Sequence, residues 1–116
     1  MTNSARENRD YILYVAKELE AVYNGEAVNE DGDQMNIYDY LNDVLDVEYI
    51  LDSSMRLIGC KLYVTLGGPT VWIDTREQSV NIHWGSESDT IYISSDVCDE
   101  INEYYAGLFV DFRSIA

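Results

Sequence analysis

The sequence predicts an α+β fold, an antiparallel β-meander of four to five strands with the N- and C-terminal helices packed on one face, in the order ααβββββα. Three observations predict it. Apolar residues recur at helical spacing at both ends of the chain, they alternate with polar residues through the middle, and short turn-rich connections separate the alternating runs. A chain of 116 residues is long enough for one core and too short for two, so residues 1–116 read as a single domain.

Ser4-Ala5-Arg6-Glu7 has the form of a capping box, in which the Ser4 hydroxyl and the Glu7 carboxylate each accept from the other's amide. A helix from Ala5 to Tyr23 follows, with Ile12, Val15, Ala16, Leu19, Val22 and Tyr23 on one stripe and Asn24-Gly25 as its stop. Asn36 then caps a second helix that is expected to bury Ile37, Tyr40, Leu41, Val44 and Leu45 and to end near Asp46.

Beyond that point the period falls to two. Val47, Tyr49 and Leu51 alternate with Glu48, Ile50 and Asp52, and after Asp52-Ser53-Ser54 a second run alternates from Ile58 to Leu66. Gly67-Gly68-Pro69 breaks that strand. Val71 and Ile73 are expected inward on a third, Val80, Ile82 and Trp84 inward on a fourth, and Thr90 to Ile93 form a fifth after a loop at Gly85 to Asp89. Ser94-Ser95-Asp96 offers cap oxygens to a last helix striped with Val97, Ile101, Tyr104, Tyr105, Leu108 and Phe109.

Composition excludes several functions. Twenty-two acidic against seven basic side chains give a formal charge of −15, a field that repels phosphate backbones and anionic membranes. No direct contact with nucleic acid or membrane is expected, and any protein partner should be basic. Cys60 and Cys98 form no CxxC or Cys/His cluster and read as two buried, reduced thiols. With a polar N-terminus and no run of transmembrane length, a cytoplasmic protein, monomeric or weakly dimeric, is expected.

Catalytic and ligand motifs are weak. The lone His83 has no partner that spacing would place beside it, Gly67-Gly68-Pro69 lacks the lysine and helix of a phosphate loop, and Asp31-Gly32 lacks the alternating oxygens of a calcium loop. Neither enzymatic activity nor a cofactor or metal is expected. Two binding surfaces are. Between Lys17 and Arg56 no cation occurs, and within that interval Glu26, Glu30, Asp31 and Asp33 fill a loop while Asp39, Asp43 and Asp46 fall at helical spacing. Asp96, Asp99, Glu100 and Glu103 gather in a second cation-free interval. Rows of fixed carboxylates can imitate a phosphate track, so the concrete expectation is an acidic decoy for a basic, DNA-binding host protein. The alternative is an adaptor that binds through an uncovered sheet face bearing Tyr63, Trp72, His83 and Tyr92.

The stretch LYVTLGGPTVWIDTREQSV, followed by HWG, resembles a family of small, acidic, uncharacterised bacterial proteins carried on conjugative and other mobile elements of Gram-positive gut bacteria. The similarity runs from YILYVAKELEAV in the first helix through the last helix. It implies no activity, cofactor or active residue. It implies a setting in which antirestriction proteins, some of them acidic DNA mimics, are common.

Overall fold

A computed structural model describes residues 3–115, with side chains described for residues 5–108. The elements are α1 (Asn3–Tyr23), α2 (Ile37–Asn42), β1 (Asp46–Leu51), β2 (Leu57–Thr65), β3 (Thr70–Asp74), β4 (Ser79–Trp84), β5 (Glu87–Tyr92) and α3 (Ser95–Ile115). The strands form one antiparallel sheet in the order β1-β2-β3-β4-β5, so both the α+β class and the meander hold.

Alternation along each strand sends one set of side chains to the helices. Val47, Leu62, Ile73, Val80 and Ile91 are cross-strand neighbours in a single row spanning all five strands. Leu62, Ile73 and Val80 are wholly excluded from solvent, as are Val71 and Ile82 in the adjoining row. The stripe Ile12, Val15, Leu19 and Val22 lays α1 over β4 and β5, while Val97, Ile101 and Tyr105 lay α3 over β2. Each such side chain removed from water contributes about 1.5–3 kcal/mol.

Helix ends follow their local chemistry. α1 closes in a Schellman arrangement, with the Glu26 amide donating to Ala21, the Gly25 amide donating to Val22, and Gly25 in the left-handed region. Its first residue is Asn3, so Ser4 lies within the helix; the capping box expected there involves a side chain outside the described residues. α3 is capped by Ser94, whose Oγ accepts from the Val97 amide.

Three expectations need correction. The second helix is shorter than its apolar spacing implies, because Asp46 already belongs to β1 and pairs with Tyr63; Val44 is half-buried and Leu45 is 60% exposed. β5 starts at Glu87, since Gly85-Ser86 makes a two-residue hairpin with Gly85 at φ 64° and Ser86 without a positive φ, as a type II′ turn requires. Trp84 keeps the inward parity of Val80 and Ile82 but is 50% exposed, lying at the strand's end where it shares a hollow with Glu7 of the exposed start of α1.

A polar seam crosses the core where α3 meets the sheet. The Cys60 amide donates to Thr75 Oγ1 at 2.9 Å, and that hydroxyl donates to Asn102 Oδ1 at 2.6 Å. Cys60 and Cys98 are free and buried, and burial pushes their thiols from 9.0 up to about 11 and about 12 respectively.

Thr75→Val strips the acceptor from the Cys60 amide and the donor from Asn102, and is expected to cost about 1–3 kcal/mol in urea unfolding. A raised folded-state pKa means that the neutral thiol is favoured by the fold. That contribution is present below about pH 9 and lost as pH rises through about 11, so the urea midpoint should fall across this alkaline window. Replacing both cysteines by Ala should make that fall shallower.

Candidate functional site

The loop between α1 and α2 is built around Asn29, whose Oδ1 accepts from the amides of Asp31 and Asp33. A bridge between Val28 and Gln34 closes it, and Gly32 at φ 83° makes the reversal. The fold of the loop is thus set by backbone and Asn29. The carboxylates of Glu26, Glu30, Asp31 and Asp33 stay exposed, with no ion pair or hydrogen bond among the described residues.

Asp39, Asp43 and Asp46 do not share a helix stripe. Asp39 completes a capping box, accepting from the Asn36 amide at 3.1 Å while its own amide donates to Asn36 Oδ1 at 2.9 Å. Asp43 is the C-cap of α2, and Asp46 in β1 accepts from the Val47 amide at 2.9 Å. All three are exposed. Local roles for Asp39 and Asp46 replace the shared row that spacing alone suggested.

The fold assembles instead a cleft of about 350 Å³ from the end of α1, the start of α2 and the start of α3. Tyr23 and Tyr38 line it together with Asp96, Asp99, Glu100 and Glu103. Tyr38 leans on Tyr104 of α3, ring centroids 5.3 Å apart, and Tyr104 meets Tyr105 edge-on, which fixes the wall. Both ion pairs among the described residues lie elsewhere, Arg9 with Asp89 and Arg56 with Asp52. Tyr23 and Tyr38 carry no signal in the sequence that would single them out; the approach of α1 and α2 to α3 brings them to the carboxylates.

On the opposite face of the sheet, Tyr63, Trp72, His83 and Tyr92 are half-buried or exposed. Tyr63 and Trp72 are paired across β2 and β3 with centroids 6.4 Å apart, and Tyr63 Oη donates to Glu48 at 2.8 Å. That hydrogen bond, ahead of burial, holds the Tyr63 phenol above its ordinary pKa. Tyr92 and His83 stand apart: Tyr92 faces Ser79, His83 faces Thr70 and Ser88, and Asn81 and Thr90 hydrogen-bond in the row opposite Trp72. The four aromatics are a pair and two outliers.

The sheet edges are guarded by aspartates. At β5, Asp89 Oδ1 accepts from the Thr90 amide at 2.8 Å, and Arg9 of α1 grips the same carboxylate with Nε and Nη2, each at 2.8 Å. Asp46 does likewise for the Val47 amide at β1. An inward-leaning charge that occupies an edge amide deters strand-to-strand association.

Among the described residues, no group of three or more His, Cys, Asp or Glu could hold a metal ion, and no helix is long and apolar enough to cross a membrane. Compared with known proteins, the chain matches no family model, no curated protein and no solved structure.

Asp89→Ala breaks the Arg9 pair and uncovers the Thr90 amide. The expected loss is about 0.5–1 kcal/mol in thermal unfolding, with a dimer appearing in sedimentation at high concentration. Unchanged melting and sedimentation would remove the guard from β5.

Proposed function

We propose that the chain is a non-enzymatic binding protein that presents its acidic end to a basic partner, a decoy for the phosphate track that a nucleic-acid-binding protein holds. The observation that carries this reading is the cleft at Tyr23 and Tyr38, where the acids of α3 meet the end of α1 and the start of α2 with no ion pair to a described cation. Spacing supports it further. From Asp96 to Glu103 four carboxylates occupy a helical rise of about 10.5 Å, one charge per about 3.5 Å. One strand of B-DNA carries a charge every ~3.4 Å.

The two tyrosines suit the same partner, since an aromatic face beside carboxylates attracts lysine and arginine side chains. Stability does not call for the arrangement. Near the start of α3 the helix dipole favours Asp96 and Asp99, but Glu103 lies two turns in, beyond its reach. In the mobile-element setting that the sequence resembles, the natural target of such a decoy is a DNA-binding defence protein of the host.

A second reading rests on the open sheet face. The Tyr63–Trp72 pair is the part of it that holds together, and an adaptor would bind there.

Capture from a cell lysate at about 50 and about 200 mM salt separates the two, with each captured protein identified by mass. A decoy captures a basic protein at the lower salt, releases it at the higher, and loses it when Asp96, Asp99, Glu100 and Glu103 become amides. Capture that ignores salt, survives those changes and fails in Trp72→Ala belongs to an adaptor. Capture of nothing at low salt overturns both.

A further inference from the structure

Asn8 stands on the buried stripe of α1 one turn ahead of Ile12, where an apolar residue would be expected. It is 2% exposed, and its Oδ1 is buried with no hydrogen-bond partner. Buried carbonyl oxygens are ordinarily satisfied, so an orphan marks strain or a donor that comes from outside. Asn8 lines a cavity of about 460 Å³ between the first turns of α1 and the β4–β5 hairpin, together with Arg9, Ser86, Glu87 and Asp89. An adjoining hollow shares Ser86 and Glu87 and adds Glu7 and the half-exposed indole of Trp84.

The lining selects one sign of charge. Arg9 is its one cation among the described residues, and two of that guanidinium's nitrogens are already committed to Asp89. Against it stand the carboxylates of Glu7, Glu87 and Asp89 and the amide oxygen of Asn8, a set that accepts hydrogen bonds and favours positive charge. Trp84 supplies an aromatic wall, which a cation also prefers. Its exposure at the end of β4 then has a use.

We propose that this cavity binds an organic cation carrying several N–H donors, a guanidinium or an alkylammonium, with Asn8 Oδ1 at its inner end, Glu87 and Asp89 as counter-charges and Trp84 as its outer wall. Because Oδ1 has less than 1 Å² of accessible surface, the ligand enters as a rim side chain moves. Arg9 is the mobile candidate: it is itself a guanidinium on Asp89, and a guanidinium ligand can exchange with it there. The cavity is remote from the tyrosine cleft, which lies at the opposite end of α1.

Agmatine, spermidine and a blocked tripeptide with a central arginine are the probes, titrated into the intact protein and followed by NMR at the Asn8 side-chain amide and the Trp84 indole N–H. Saturable shifts at both groups are expected from at least one probe. Asn8→Leu, which keeps the bulk and removes the acceptor, should weaken that probe at least about tenfold while raising the melting temperature; Asn8→Asp should retain it. Preference for the tripeptide identifies the natural ligand as a protein side chain, and preference for agmatine or spermidine identifies a free amine. No shift with any probe, or equal affinity in Asn8→Leu, overturns the proposal and leaves Asn8 with a structural water only.

Discussion

One constraint governs this fold: a five-stranded sheet has one apolar face, and the helices on it must cover most of that face. The row Val47, Leu62, Ile73, Val80 and Ile91 crosses every strand, so the sheet is a continuous apolar strip. A strip of this kind stays out of water only when elements from both ends of the chain return to it. α1 covers the β4–β5 side and α3 the β2 side, which ties the first and last thirds of the sequence to its middle. Most polar side chains are thereby displaced to the other sheet face, the loops and the outer helix surfaces, with Asn8 and the Thr75–Asn102 seam as exceptions.

Much of this arrangement is legible in the residues themselves. The change of hydrophobic period at Val47, the caps at Asn36 and Ser94, the stop at Gly25 and the inward parity of Val71, Ile73, Val80 and Ile82 all express local chemistry, and all are found in the fold. Misreadings occur where a distant partner decides the outcome. Val44 and Leu45 continue a helical spacing, yet pairing between β1 and β2 claims the chain from Asp46, and the Leu45 amide already donates to Tyr63. Trp84 obeys the alternation but outruns the helix that would bury it. The tyrosine cleft and the orphan oxygen of Asn8 were invisible for the same reason, since each depends on elements remote in sequence coming together.

Two groups stand out among the acids. Asp39, Asp46, Asp52, Asp74 and Asp89 each accept from backbone amides at a helix start, a turn or a sheet edge. In these places a short carboxylate stands in for a missing carbonyl, and charge is incidental to the need for an acceptor. Asp52 shows the coupling: the hydrogen bond from the Arg56 amide lowers its pKa most, burial opposes it, and the hydrogen bonds from the Ser54 amide and the Arg56 guanidinium add to the lowering. Glu26, Glu30, Asp31, Asp33, Asp43 and the acids of α3 are different. Among the described residues their side chains close no turn and guard no edge.

That division bears on what the negative charge is for. If acidity served only to keep the molecule apart from its neighbours, exposed carboxylates could fall anywhere on the surface. Here those without a backbone to serve lie mainly on the acidic loop, on Asp43 and on the first turns of α3, and those of α3 line a cleft with Tyr23 and Tyr38. Repulsion within that group opposes folding at every position, and both ion pairs among the described residues lie outside it, on Asp89 and Asp52. An arrangement that costs stability, is held by the tilted and edge-on contacts of Tyr38, Tyr104 and Tyr105, and closes no turn or sheet edge fits the proposed binding of a basic partner.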